Sequence, residues 1–205
     1  MRRRIMKLSI ALALLVGGGG VGFAQSWKDA PKVTDAFEAY ESGDFVTAAR
    51  EWRTQAEQGN EVAQVNLGLM YEKGKGVTQD FQEAVRWYRL SAEQGMAHAQ
   101  FSMGVMYREG RGVAQDYRAA VNWFRLAASQ GHADAQSSLG AMYGTGRGVI
   151  QDYIYAHMWS NIAAINDKES SVKNRDIIAS MMTKEQIAQA QELARRCVAK
   201  NYKGC

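Results

Sequence analysis

The chain has 205 residues, a single proline and a formal charge of +4, enough for one domain or a short array of repeated units. One proline among many alanines favours an all-helical protein. The positive charge invites a nucleic-acid reading, which the placement of the basic residues then removes.

The N-terminus reads MRRRIMKLSIALALLVGGGGVGFAQS. A basic start, an apolar run from Leu8 to Val16 and a small-x-small exit at Gly22-Phe23-Ala24 describe a secretory signal peptide over residues 1–24, with cleavage expected after Ala24. A retained membrane anchor is the weaker alternative, because that run is too short to span about 30 Å of hydrocarbon and the glycines after it are poor helix formers. Cleavage removes Arg2, Arg3, Arg4, Lys7 and no acidic residue, leaving 21 basic and 21 acidic side chains. A neutral mature chain has no net charge to draw nucleic acid or anionic lipid, so those partners and stable membrane insertion are not expected. No cysteine follows the apolar run to carry a lipid, and the expected location is the periplasm or the exterior.

Residues 25–59 form a linker and a first helical hairpin, in which AFEAYESGDFVTAAREWRTQAEQG from Ala36 keeps Asp44, Phe45, Ala48 and Ala56 in phase with the later units. Then the sequence repeats. MYEKGKGVTQDFQEAVRWY from Met70 returns as MYREGRGVAQDYRAAVNWF from Met106 and as MYGTGRGVIQDYIYAHMWS from Met142, each copy 36 residues after the last. Units are set at 60–95, 96–131 and 132–166.

In the first unit a helix is predicted from about Glu61 to Glu72, with Ala63, Leu67 and Met70 or Tyr71 on one stripe. Gly74 and Gly76 permit positive φ at the helix end and in the turn. Asp80 serves as N-cap of a second helix carrying Phe81, Ala84, Val85, Tyr88 and Ala92, which Gly95 stops. The glycine pair fits neither a dinucleotide fingerprint nor a P-loop: the element before it is helical, and Gln79 or Gln115 stands where a third glycine belongs. Gly68, Gly104 and Gly140 fall inside the first helices at a cost of about 1 kcal/mol each, which close approach of Ala84, Ala120 and Ala156 on the partner helix would offset. Trp87, Trp123 and Trp159 are expected to fill the space between units.

Residues 167–205 read as a linker and a closing helix, with Thr183 and Gln186 placed as a capping box. The stretch Asn166–Lys173 lacks the glycine and Ala-Gln of the other units, so a fourth full unit is not expected. Cys197 and Cys205 are the only cysteines, and export favours a bridge between them over two free thiols.

These residues resemble Sel1-like repeats, relatives of the tetratricopeptide repeat with a longer turn. The likeness rests on A-Q-x-x-L-G-x-M-Y at Ala63–Tyr71, G-x-G-V-x-Q-D-[FY] at Gly74–Phe81, A-V-x-W-[YF] at Ala84–Tyr88 and A-x-Q-G at Ala92–Gly95. It implies an all-α solenoid, an α/α superhelix of stacked antiparallel helix pairs, capped N-terminally by a tetratricopeptide-type hairpin. Some cysteine-rich members bridge helices through C-x7-C pairs, the separation of Cys197 and Cys205.

Transferring the tetratricopeptide pattern lines a concave groove with Val62, Val65, Leu69, Glu72 and Lys73 in the first unit. His98, Phe101, Val105, Arg108 and Glu109 follow in the second, and Asp134, Ser137, Ala141, Gly144 and Thr145 in the third. Val65, Leu69, Phe101 and Val105 are apolar without being needed for the hairpin stripe, which suggests a contact surface. The implied role is a non-enzymatic adaptor, a monomer holding a peptide or protein segment in the cell envelope.

The alternative is a hydrolase acting on cell-wall or lactam substrates. Ser170-Ser171-Val172-Lys173 fits S-x-x-K, but the S-D-N and K-T-G companions are absent. His98, His132 and His157 lie at three different phases and the recurring methionines at core phase, so neither a metal nor another cofactor is expected.

Overall fold

The computed structural model describes residues 33–165 and 169–205, and the proposed signal peptide and Ser170's side chain lie outside what it describes. Ten helices and no strand occur among the described residues. The first hairpin is α1 (Val33–Glu41) and α2 (Phe45–Glu57). The three repeats follow as α3 (Glu61–Lys73) with α4 (Phe81–Glu93), α5 (Ala97–Glu109) with α6 (Tyr117–Ala128), and α7 (Ala133–Thr145) with α8 (Tyr153–Ala164). The chain ends in α9 (Glu169–Ala179) and α10 (Lys184–Ala199).

Two helix boundaries in each repeat have a recurring chemical cause. The Asp80, Asp116 and Asp152 carboxylates each accept two backbone N–H groups at the start of α4, α6 and α8. Gly74, Gly110 and Gly146 end the first helices in the left-handed conformation, their N–H groups donating to Met70, Met106 and Met142 carbonyls. The glutamine standing where a phosphate loop would need its third glycine has a task of its own. Gln79, Gln115 and Gln151 each donate from Nε2 to a first-helix carbonyl, of Glu72, Arg108 and Gly144, at 2.8–2.9 Å.

The second glycine of each pair joins units. A Cβ on Gly112, at φ +70°, would lie 3.0 Å from the Gln82 nitrogen and closer still to the Phe81 carbonyl, where α4 of the preceding unit begins. Gly76 meets the start of α2, and Gly148 the start of α6, in the same way. A second link is buried: the Gln64, Gln100 and Gln136 amides donate to the Ala56, Ala92 and Ala128 carbonyls in the last turn of the preceding unit.

Hairpins close around the interior glycines with one difference from expectation. A Cβ on Gly68 would lie 2.8 Å from the Tyr88 ring, on Gly104 2.5 Å from the Phe124 ring and on Gly140 2.5 Å from Ser160 Oγ. The close neighbour is thus the side chain one turn beyond Ala84, Ala120 and Ala156, whose own contribution is a backbone oxygen within 3.2–3.3 Å at Ala84 and Ala156. The tryptophans pack as expected: Trp87 joins the core of the first hairpin and α3, and Trp159 that of the last repeat. Trp123 is half-buried against the cluster between them.

The C-terminal region departs from a plain linker and cap. α9 starts 36 residues after α7 and packs on α7 and α8 as a further first helix. Ser171 takes the phase of Ala135 and is fully buried, with Oγ 3.1 Å from Ser137 Oγ; Ile178 takes the phase of Met142 and is buried. No hairpin partner follows. Where Leu139 and Gly140 receive α8, α9 carries Arg175 and Asp176, ion-paired with each other at 2.8 Å. α10 instead lies on α8, beginning in the expected Thr183–Gln186 capping box. A disulfide joins Cys197 to Cys205. By loop-closure entropy it stabilises the tail by about 2.5 kcal/mol.

Candidate functional site

The fifteen positions expected to line the groove divide by helix geometry. At about 100° per residue, Val62, Leu69 and Lys73 point within about 40° of one another, whereas Val65 and Glu72 lie about 60–80° to one side. That side faces the next repeat. Val65 is only 4% exposed and belongs to the cluster holding Ala99 and Met103, so its expected exposure is corrected: the next unit's helix covers it. Its counterpart Phe101 is half-buried, with its ring 4.8 Å from His132 in stacked geometry and 5.8 Å from Phe124. Ser137, at the same phase, meets Ser171.

Glu72 also works between units. Its side chain is 12% exposed, ion-paired with Lys73 at 3.0 Å and Arg111 at 3.4 Å, and it accepts the Tyr88 hydroxyl at 2.8 Å. Arg111 pairs in turn with Glu109, which Arg108 also holds at 2.8 Å. Burial first, and then the Glu72 charge, push the Tyr88 phenol well above its ordinary range. Glu109's carboxyl is held low by the arginines, which outweigh its desolvation. Arg108 lies over the Phe124 ring at 5.8 Å, and a Cβ on Gly144 would lie 3.9 Å from Ile178 on α9.

What stays partly or fully open on the first helices is the narrower face of Val62, Leu69, Lys73, then His98, Val105, Glu109, then Asp134, Ala141, Thr145. Leu69 and Val105 are half-buried, and Ala141 is exposed. The same phase continues to Ile177 and Met181 in and just beyond α9, 56% and 55% exposed. The sequence hides this fourth step because α9 lacks the glycine and Ala-Gln signature and keeps the helix phase alone.

Gly144, at the phase of Glu72 and Arg108, offers a direct test of packing against the next first helix. The Cβ it lacks would sit 3.7 Å from Ala156 and 3.9 Å from Ile178, ordinary contacts for a helical position. Gly144→Ala should therefore stabilise the protein by about 0.5–1 kcal/mol, a melting temperature about 1–4 °C higher, read by thermal denaturation.

The His98 ring centroid lies 5.8 Å from that of His132, whose Nδ1 accepts the Ala135 N–H to cap α7. Burial lowers the His98 pKa from 6.5, partly opposed by Asp134 and Glu72; burial and Arg175 lower that of His157, opposed by Asp176. Both take up their proton at lower pH in the folded chain than in the unfolded one, so stability falls as pH drops through about 6.5. A lower urea midpoint at pH 5.5 than at 7.5 is expected, with a smaller gap in a His98→Gln, His157→Gln double variant.

Among the described residues no group of three or more His, Cys, Asp or Glu side chains is placed to hold a metal ion, and no helix is long and apolar enough to cross a membrane. Of the S-x-x-K stretch, Ser171 is buried against Ser137.

Stacked helix pairs, with constant residues turned inward and varied ones along the first helices, define an α-solenoid repeat protein. The Sel1 repeat family matches residues 62–96, 97–132 and 133–167, and the chain belongs to that family, whose members are typically protein–protein interaction scaffolds. It is similar in structure to a Sel1 repeat protein from Oxalobacter formigenes, with a TM-score of 0.63 and 28% identity over 80% of this chain and 75% of that one. It is also similar to c5321, described as a protective antigen present in uropathogenic Escherichia coli strains and displaying an SLR fold, with a TM-score of 0.58 and 30% identity. That match covers 76% of this chain but only 42% of the antigen. No curated protein matches the sequence significantly.

Proposed function

We propose that the protein is an exported, monomeric adaptor of the cell envelope that holds a peptide or protein segment along the open face of its first helices. The observation carrying this is the division of labour within each repeat. Recurring residues such as Gln64, Gly68, Gly76, Gln79 and Asp80 each have an intramolecular task, whereas Leu69, Val105, Ala141 and Ile177 form an apolar row that the fold leaves partly or fully open. Exposed apolar side chains in a row mark contact sites. Lys73 and Glu109 flank that row and would set the partner's direction.

The leader-like N-terminus and the Cys197–Cys205 bridge both favour an oxidising compartment. Because Phe101 and Arg108 pack between repeats and Glu109 is ion-paired in the Arg111–Glu72 network, substitutions there would mix stability with binding, and cleaner probes are Leu69→Asp and Ala141→Asp. With melting temperature unchanged, the double variant should retain less than a tenth of the partner that the unaltered protein captures from a periplasmic extract. Full retention sinks the reading.

A further inference from the structure

The outer faces of the second helices differ in one respect. At equal phase they carry Glu83, Arg86 and Leu90 on α4, Ala119, Asn122 and Leu126 on α6, and Tyr155, Met158 and Ile162 on α8. Leu90 is 38% exposed and Leu126 49%, but Ile162 is fully buried. Repeat stacking does not explain this, because α9 meets α8 much as α7 meets α6. The difference is α10, which packs on α8, brings Ala194 and Cys197 into the Ile162 cluster and sets Leu193 beside Tyr155 and Met158. The chain thus shows what seats on this face: an amphipathic helix with small residues along its seam, Ala190, Ala194 and Cys197, all buried.

On the second repeat the same seat is open and differently charged. α6 carries Arg118 and Arg125 and no acidic residue, with Arg125 donating to the Tyr143 hydroxyl at 2.9 Å. Arg118, Asn122 and Arg125 lie within about 60° of one another on the helix, Asn122 about 40° from Leu126 and the two arginines about 80–100° from it. The smaller Ala119 and Asn122, where the third repeat has Tyr155 and Met158, leave a shallower, more polar seam.

We propose that the outer face of α6, with Leu126 and the neighbouring Leu90, is a second interaction surface, continuous in phase with the α8–α10 interface, and that it takes an amphipathic helix of a partner protein. That helix presents small apolar residues to Leu126 and acidic residues to Arg118 and Arg125. The surface is independent of the first-helix face, so two partners, or two parts of one, can be held at once.

The test uses the purified protein and two hydrocarbon-stapled, fluorescein-labelled 17-residue helices with the Thr183–Ala199 sequence, Cys197 replaced by alanine. One keeps the native basic residues; in the other Lys184, Arg195 and Arg196 are glutamate. Anisotropy titration should show the acidic helix binding at least tenfold more tightly than the basic one. That binding should fall at least tenfold in Leu126→Asp and in an Arg118→Glu, Arg125→Glu variant, with circular dichroism unchanged. Leu69→Asp should leave it intact, which separates this surface from the first-helix face. Preference for the basic helix would point to exchange of α10 itself and overturn the proposal, as would no binding by either helix or binding indifferent to Leu126 and the arginines.

Discussion

Gly112→Ala is expected to destabilise the protein by about 3 kcal/mol, whereas Gly95→Ala should cost only about 1 kcal/mol. Both glycines have positive φ, +70° and +99°, so an L side chain is strained at either position. The surroundings differ. Nothing lies within 4 Å of a Cβ placed on Gly95, whereas on Gly112 it collides with the peptide group joining Phe81 to Gln82. A main-chain obstacle does not rotate away, so the first turn of α4 must shift away from the α5–α6 turn. That shift disturbs the Asp80 cap, which holds the Gln82 and Glu83 N–H groups at 2.8 and 3.1 Å. Urea unfolding of the two variants against the unaltered protein checks the difference; equal losses would mean that the glycine serves backbone conformation alone.

That contrast marks how far the sequence could be read. Fixed-phase glycines, alanines and aspartates revealed the helix pairs, their caps and the 36-residue period, because each performs a local task of characteristic chemistry. The left-handed φ of Gly74 was legible; the approach of the Phe45 carbonyl to Gly76 was not, since nothing local says which distant stretch of backbone arrives there. The same limit explains Val65. An apolar residue beside the hairpin stripe can face solvent or the next repeat, and only the superhelical pitch decides between them. α9 was missed for the opposite reason: its glycine and Ala-Gln signature is gone, yet Ser171 and Ile178 keep the size and phase that stacking requires. One signal was available and unused. Tyr155, Met158 and Ile162 are apolar at i, i+3 and i+7 where earlier units carry Glu83 and Arg86 or Asn122, a stripe that calls for a covering helix.

The second large effect concerns the hairpin interior. Phe124→Ala should cost about 3–5 kcal/mol, because a fully buried ring is lost from a site where main chain limits collapse. Gly104→Ala alone should cost about 1–3 kcal/mol: its new Cβ would stand 2.5 Å from that ring, and the strain outweighs the helix propensity gained. The two changes should not add. With the ring gone, the Gly104 methyl enters the vacated space and α5 keeps the propensity gain of about 1 kcal/mol, so the double variant should be more stable than Phe124→Ala alone. The third repeat already uses a smaller pairing, Gly140 against Ser160, whose Oγ has no hydrogen-bond partner among the described residues. A double-mutant cycle in urea, followed by circular dichroism and tryptophan fluorescence, measures the coupling. Strict additivity would show that the interior glycine is set by something other than the ring across from it, and that each helix pair closes on another contact.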